Sequence, residues 1–442
     1  MTNVDLVITA KWIVTVAGDV LEHTGVVIHD GKITDILKQD RIAELYVADV
    51  SMALEDHVLM PGLINLHTHA AMSLMRGLAD DLPLMTWLQN HIWPAEKHVL
   101  SERFVRDGSL LGCAEMLAGG TTCFADMYFY PLSVAEAAMQ AGMRANIGLV
   151  VLEFPTSYAS DADDYLLKGL EARDSWRNHS LLSTSLAPHA PYTVENQSFE
   201  KILTYAEQLG LGIHTHLHET KDEVAQSVDQ YGVRPLQRLA NLGLLGPSFL
   251  AAHCVHLEPQ EMEMLAEFGC HVAHCPASNL KLASGMAPVT DLLGAGVNVG
   301  IGTDGSASNN RLDMFAEMRL AALLEKGRSG NAAAMPAHQA LEMATLGAAR
   351  ALGLDDKIGS IEIGKFADLT AVRIADVQTL PCYDPVSHLV YAAGREHVTH
   401  TWVAGELRYQ KLNGHDGVYA NIEPSELKEI TTGWQSRLAQ FK

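Results

Sequence analysis

The chain is short of basic charge, of cysteine pairs and of long apolar runs, and each shortage excludes a class of function. Its 442 residues carry 31 Lys and Arg against 53 Asp and Glu, a formal net charge of −22. Phosphate contacts dominate nucleic-acid affinity and demand a basic surface, so no polynucleotide partner is expected. The same acidity argues against docking on anionic lipid. No stretch of 18 apolar residues occurs, so no membrane span is expected. The six cysteines, Cys113, Cys123, Cys254, Cys270, Cys275 and Cys382, never form a Cys-x-x-Cys pair. A chain of this size needs no disulfide framework, and reduced thiols in the cytoplasm are the expectation. The opening MTNVDLVITAKWIVTV has no basic start and alternates like a strand, unlike a secretory signal. Internal repeats and low-complexity tracts are missing too, and no G-x-G-x-x-G follows the first strand of the central region, which weighs against a dinucleotide-binding open sheet.

What is present is a large apolar fraction, 48%, enough for an extensive core. Residues 1–58 read as short strands, with Asp30-Gly31 between VVIH and KITDIL as a hairpin turn. Residues 364–442 read similarly, with strand pairs around Gly364-Lys365 and Gly405 and a terminal helix. The economical reading is one small β-sandwich domain built from both chain ends. Between them, residues 59–363 alternate strand and helix. Eight apolar runs end in polar residues: LMPGLINLHTH, GTTCFADM, ANIGLVV, LLSTSLAPHAP, GIHTHLHE, FLAAHCVH, HVAHCPASN and NVGIGTDG. Eight strands alternating with amphipathic helices specify a (β/α)₈ barrel, with an open doubly wound sheet as the alternative.

In a barrel the C-terminal strand ends converge on one mouth. Strand one ends His67-Thr68-His69, strand five runs His214-Thr215-His216-Leu217-His218-Glu219, strand six ends His253-Cys254 and strand eight Thr303-Asp304-Gly305. Residues two apart on a strand share a face, so His67 and His69 can reach one ion. Imidazoles plus a carboxylate suit Zn²⁺ and tolerate Fe²⁺ or Mn²⁺. One H-x-H is weak evidence, but metal-ligand residue types at four strand ends are hard to obtain from packing alone. By period two, His214 and His218 share the face of His216 and read as supporting or structural residues. His274 either lines the mouth or packs. Trp87 and Trp93 read as core aromatics, with a lid over the mouth as the other reading of Trp87. Cys254 and Cys275 point away from their histidine neighbours and read as packing residues.

Five segments, PGLINLHTHAAMSLMRG, HTHLHET, AHCVH, HCPASNLKLASG and GTDGSASNNRLDMFAEMR, resemble the amidohydrolase superfamily, in its nucleoside-deaminase and chlorohydrolase branch, from about Val4 to about Leu407. LMTWLQNHIWPAE and APHAPYT are similar to the 5′-methylthioadenosine/S-adenosylhomocysteine deaminases. The resemblance implies a distorted TIM barrel holding one Zn²⁺ per subunit on His67, His69, His216 and Asp304. It implies Glu219 as proton carrier and His253 as the residue orienting the attacking water. It also implies Glu96 on the ribose hydroxyls, His189 against the substrate, and a homo-oligomer, dimer or tetramer. The expected reaction is hydrolytic deamination of adenosine, 5′-methylthioadenosine or S-adenosylhomocysteine, with the metal lowering the water pKa to ~7. One metal is expected, because strand four ends in APHAPYT with no lysine to bridge a second ion. The other zinc-deaminase pattern, H-x-E with P-C-x-x-C, fails at Pro381-Cys382, which no second cysteine follows. The relatives' arginines after strand three are missing from LEFPTSYASDADDYL, which favours a methylthio or hydroxyl 5′ group over a homocysteine carboxylate. The alternatives are a deaminase of a free purine base such as guanine or 8-oxoguanine, a triazine-type chlorohydrolase, or a non-catalytic scaffold on the same fold.

Overall fold

The computed structural model describes residues 1–411 and 417–441. Eight parallel strands form the barrel in chain order: Leu63–Thr68, Thr121–Tyr128, Arg144–Val151, Leu182–Pro188, Gly212–Leu217, Phe249–His253, His271–His274 and Asn298–Ile301. They coincide with the eight apolar runs of the sequence. Every residue of Thr121–Tyr128 and Arg144–Val151 is buried, because helices cover one face and barrel side chains the other. Such strands read as continuous apolar runs rather than as alternation.

A side chain helps join the last strand to the first. Asn65 donates from Nδ2 to Thr303 Oγ1 at 2.7 Å and accepts the Thr303 N–H at 2.9 Å. The Asp304 N–H then reaches the His67 carbonyl at 2.9 Å. Gly302 permits this approach, since a Cβ there would lie 2.6 Å from the His67 nitrogen. The junction therefore seats Asp304 directly beside His67.

The second sheet takes strands from both ends of the chain, and Thr2–Val14 lies inside it between Val20–His29 and Tyr46–Pro61. Leu369–Arg373, Val398–Val403, Glu406–Gln410 and Val418–Tyr419 extend it beyond Tyr46–Pro61. The Asp30-Gly31 turn has φ of +50° and +72° and connects Val20–His29 to Lys32–Lys38, as its turn chemistry requires. That turn touches the Ala404-Gly405 turn, so the sheet folds over on itself around Ile8, Ile28, Leu59, Leu369 and Trp402. Among the described residues no helix is long and apolar enough to cross a membrane.

One ion pair locks sheet to barrel. Arg144, on the third barrel strand, donates from Nε and Nη2 to the two Asp368 oxygens at 2.9 and 3.0 Å, and both side chains are buried. Replacing Arg144 with methionine strands a buried carboxylate. We expect a loss of about 3–5 kcal/mol in denaturant-unfolding stability. The double variant R144M/D368L recovers most of it, because no lone charge remains. A loss below about 1 kcal/mol for R144M would contradict this account.

Candidate active site

The reactive groups arrive on strand ends where the backbone turns sharply. His253 and Asp304 adopt φ of +73° and +61°, a conformation non-glycine residues rarely hold without compensation. Asp304 Oδ1 lies 3.6 Å from His67 Nε2 and 3.2 Å from His69 Nε2. Donor atoms of His67, His69 and Asp304 fall within 4.8 Å of one another, as do those of His67, His216 and His253.

The hydrogen bonds behind these rings fix which nitrogen faces inward. His69 Nδ1 donates to the Met127 carbonyl at 2.5 Å, and His216 Nδ1 donates to the His189 carbonyl at 2.6 Å. A carbonyl can only accept, so a proton sits on Nδ1 and Nε2 is the nitrogen that faces the site. His67 Nδ1 pairs with His214 Nε2 at 2.9 Å, and His67 Nε2 is buried with no hydrogen-bond partner among the described residues. Burial holds His67 neutral, with its pKa pushed down to about 4, and pushes His216 well below the usual imidazole value. For His69 burial acts in the same direction. The Asp304 carboxylate and the Met127 carbonyl outweigh it and carry the ring to about 9. A cation at this point would take the place of that proton. Asp304 is also buried, yet the two imidazoles hold its carboxyl well below the usual carboxylate range. An orphaned lone pair, two tautomers set by carbonyls and an ionised carboxylate match the donor chemistry of Zn²⁺.

These groups open onto a cavity of about 670 Å³ that His69, His216, Glu219, His253 and Asp304 share with Glu96, His189, Trp87, Trp93 and Phe154. A larger groove of about 1110 Å³ between the helices Glu102–Ala118 and Pro424–Leu438 is lined by none of the metal-donor side chains. Burial raises the Glu219 carboxyl, and its Oε2 lies 3.8 Å from His253 Nε2. His253 Nδ1 pairs with Asn279 Oδ1 at 2.8 Å. Glu96 is 7% exposed and accepts from the Tyr128 hydroxyl at 2.6 Å; burial pushes its carboxyl up to about 7. His189 packs its ring 4.7 Å from that of His216, and its Nδ1 pairs with Thr193 Oγ1 at 3.1 Å.

The structure thus gathers His67, His69, His216, His253, Glu219, Asp304, Glu96 and His189 in one place. His218 has the structural role read from the sequence, but not on the face expected from period two. The fifth strand ends at Leu217, and a φ of +54° turns His218 off the face of His216. There its Nε2 accepts the Leu236 N–H at 3.0 Å, off the shared face that period two placed it on. His274 is buried and absent from the cavity lining, so it packs. Cys254 and Cys275 are buried free thiols.

A model of the Amidohydrolase family matches residues 58–408 of this chain. The chain belongs to the amidohydrolase family. Among proteins similar to this amidohydrolase, a 5-methylthioadenosine/S-adenosylhomocysteine deaminase of Saccharophagus degradans is 49% identical over 407 residues, 92% of this chain and 91% of that one. A protein of the same name from Teredinibacter turnerae is 47% identical, covering 99% and 98%. A solved adenosine deaminase of Xanthomonas campestris with bound zinc superposes with a TM-score of 0.96 at 45% identity, covering 99% of each chain.

The sequence reading of this amidohydrolase missed the residues that hold the reactive ones. Glu223 accepts the backbone N–H groups of His218 and Glu219 at 2.9 and 2.7 Å. Ser278 and Ser308 donate to Asp304 Oδ2 at 2.6 and 3.0 Å, and Ser284 reaches Glu219 Oε1 at 3.3 Å. The available signal was the run of small polar residues in HCPASNLKLASG, directly after strand seven.

Proposed function

We propose that this amidohydrolase deaminates an adenosine-type nucleoside, releasing ammonia and the inosine analogue, with 5′-methylthioadenosine or adenosine as substrate. The observation that carries this reading is Glu96. A carboxyl buried in a largely apolar cavity, with the Tyr128 hydroxyl as its donor among the described residues, has acceptor capacity left for a ligand. A pair of ribose hydroxyls fills it, whereas a free base or a triazine does not. The names carried by the similar proteins support the same choice.

The metal, held by His67, His69, His216 and Asp304, supplies Lewis-acid activation of the attacking water when bound. The other steps belong to the chain. Asp304 Oδ1 takes one proton from the water as its oxygen adds to C6. Glu219 protonates N1; its carboxylate then takes the proton of the hydroxyl now on C6 and passes it to the departing amino group, so that C6 becomes a carbonyl and ammonia leaves, and the proton held by Asp304 returns Glu219 to its acid form. His253, whose Nδ1 donates to Asn279, accepts a hydrogen bond from the attacking water through Nε2 and so orients it. His189 lies against the base, and Trp87 closes over it to exclude bulk water. At the 5′ end, Trp93 and Phe154, with ring centroids 6.0 Å apart, present an apolar wall suited to methylthio. The barrel reaction unit takes residues 59–363, and residues 1–58 and 364–442 form the flanking unit.

Ammonia release from 5′-methylthioadenosine, adenosine, S-adenosylhomocysteine and guanine, assayed side by side, tests the proposal. Turnover of guanine alone would remove it. Glu96→Gln is expected to raise KM for nucleosides by about 10- to 100-fold, the equivalent of one charge-assisted hydrogen bond. The sign of its pH dependence follows from burial. Ionised Glu96 accepts the hydroxyls, so 1/KM rises with pH through a limb at or below about 7, since the bound cation also favours the carboxylate. In E96Q that limb is flat. A wild-type limb that persists in E96Q would detach Glu96 from nucleoside binding.

A further inference from the structure

We infer that Glu317, which lines no part of the cavity, is the positioning residue that keeps Asp304, His253 and Glu219 in register, acting through the segment Pro276–Ser284 and the loop after strand eight. Three side chains of that segment each hold a different reactive group. Ser278 Oγ donates to Asp304 Oδ2 at 2.6 Å. Asn279 Oδ1 pairs with His253 Nδ1 at 2.8 Å. Ser284 Oγ donates to Glu219 Oε1 at 3.3 Å. The consequences differ at each. With Oδ2 occupied, Asp304 directs Oδ1 at His67 and His69. With Nδ1 donating to the Asn279 carbonyl oxygen, His253 presents its Nε2 lone pair toward Glu219.

The segment must itself be fastened, and Glu317 fastens it. Glu317 sits on the helix Met314–Ser329 and is 1% exposed. Its Oε2 accepts the Ala277 N–H at 3.0 Å, at the start of the segment. Its Oε1 accepts from Asn309 Nδ2 at 2.8 Å, and Asn309 Nδ2 also reaches the Thr303 carbonyl at 2.7 Å. Asn309 adjoins Ser308, the second hydroxyl on Asp304 Oδ2, at 3.0 Å. One buried carboxyl therefore ties together both segments that clamp the metal-facing carboxylate. Glu325, on the same helix and 2% exposed, is the natural control, because it holds Arg328 and the Thr290 N–H instead.

The experiment measures zinc affinity by competition with a chromophoric chelator, and kcat and KM with 5′-methylthioadenosine. The kcat arm rests on the proposed deaminase activity; the zinc arm needs no substrate, so the two can fail separately. Ser278→Ala is expected to weaken zinc binding by about 10- to 100-fold. Asn279→Leu lowers kcat by a similar factor and leaves zinc affinity within about 2-fold. Glu317→Gln does both with KM unchanged, although it touches neither group, and Glu325→Gln does neither. The double variant S278A/E317Q binds zinc no more weakly than the worse single variant, within about 3-fold, because the two act along one path. Full additivity, or zinc affinity in E317Q equal to that in E325Q, would overturn the assignment. Should E317Q fail to fold, Asn309→Ala cuts only the loop side. A 10-fold loss of zinc affinity there supports the inference, and no change defeats it.

Discussion

Alanine at Asp304 lowers kcat/KM for the nucleoside by about 10⁴-fold or more, roughly 5.5 kcal/mol of barrier, and the purified variant carries little zinc. Two losses combine here. One is a metal donor: Oδ1 is the atom that both His67 and His69 approach. The other is the acceptor for the water's proton. The surroundings of Asp304 exist to keep it charged. The Gly305 N–H reaches Oδ1 at 2.7 Å, and Ser278 and Ser308 reach Oδ2. In the alanine variant those hydroxyls lose their acceptor inside a buried site, which adds a destabilisation of about 1–3 kcal/mol. Asparagine separates the two losses. It keeps an oxygen for the metal and cannot take the proton, so D304N should retain more zinc than D304A while remaining nearly inactive. Elemental analysis beside an ammonia-release assay reads both. Activity of D304A within 10-fold of wild type would remove Asp304 from the reaction.

The barrel and the metal donors were legible in the sequence for one physical reason. A strand buried on both faces has to be apolar until it ends, and a mouth that binds a cation has to place donors at those ends. His67, His69, His216 and His253 sit within one residue of such ends, and Asp304 three residues beyond its own. What lay outside this pattern was backbone conformation and support. His218 obeys the strand period on paper, but its left-handed φ breaks the strand before the period applies. Glu223, Glu317 and Asn279 look in sequence like solvated helix residues, because a helix start or an amphipathic helix carries such residues on its outer face as readily. Asn279 and Glu317 meet partners 26 and 40 residues away, His253 and Ala277, while Glu223 turns back onto the strand end just before it. Glu96 shows the limit plainly. Its environment is set by Tyr128, 32 residues away on the second barrel strand, and by a cavity that no local pattern encodes.

Glutamine at Glu219 is expected to lower kcat by about 10²–10⁴-fold, the usual weight of a positioned proton carrier, with KM and zinc content close to wild type. The geometry separates this residue from the metal donors. Glu219 follows the end of the fifth strand, where the Glu223 carboxyl holds its backbone N–H at 2.7 Å, so its side chain is aimed independently of zinc. Burial raises its pKa, which favours the protonated carboxyl needed to give a proton to N1; His253 and the Ser284 hydroxyl act the other way. Glutamine preserves the shape and can still donate a hydrogen bond to N1, but it cannot deliver the proton itself. The nucleoside therefore binds and waits. A substrate analogue with a leaving group that departs without protonation, such as 6-chloropurine riboside, should lose less in E219Q than adenosine does. Equal losses for both substrates would mean that Glu219 shapes the cavity rather than carrying the proton.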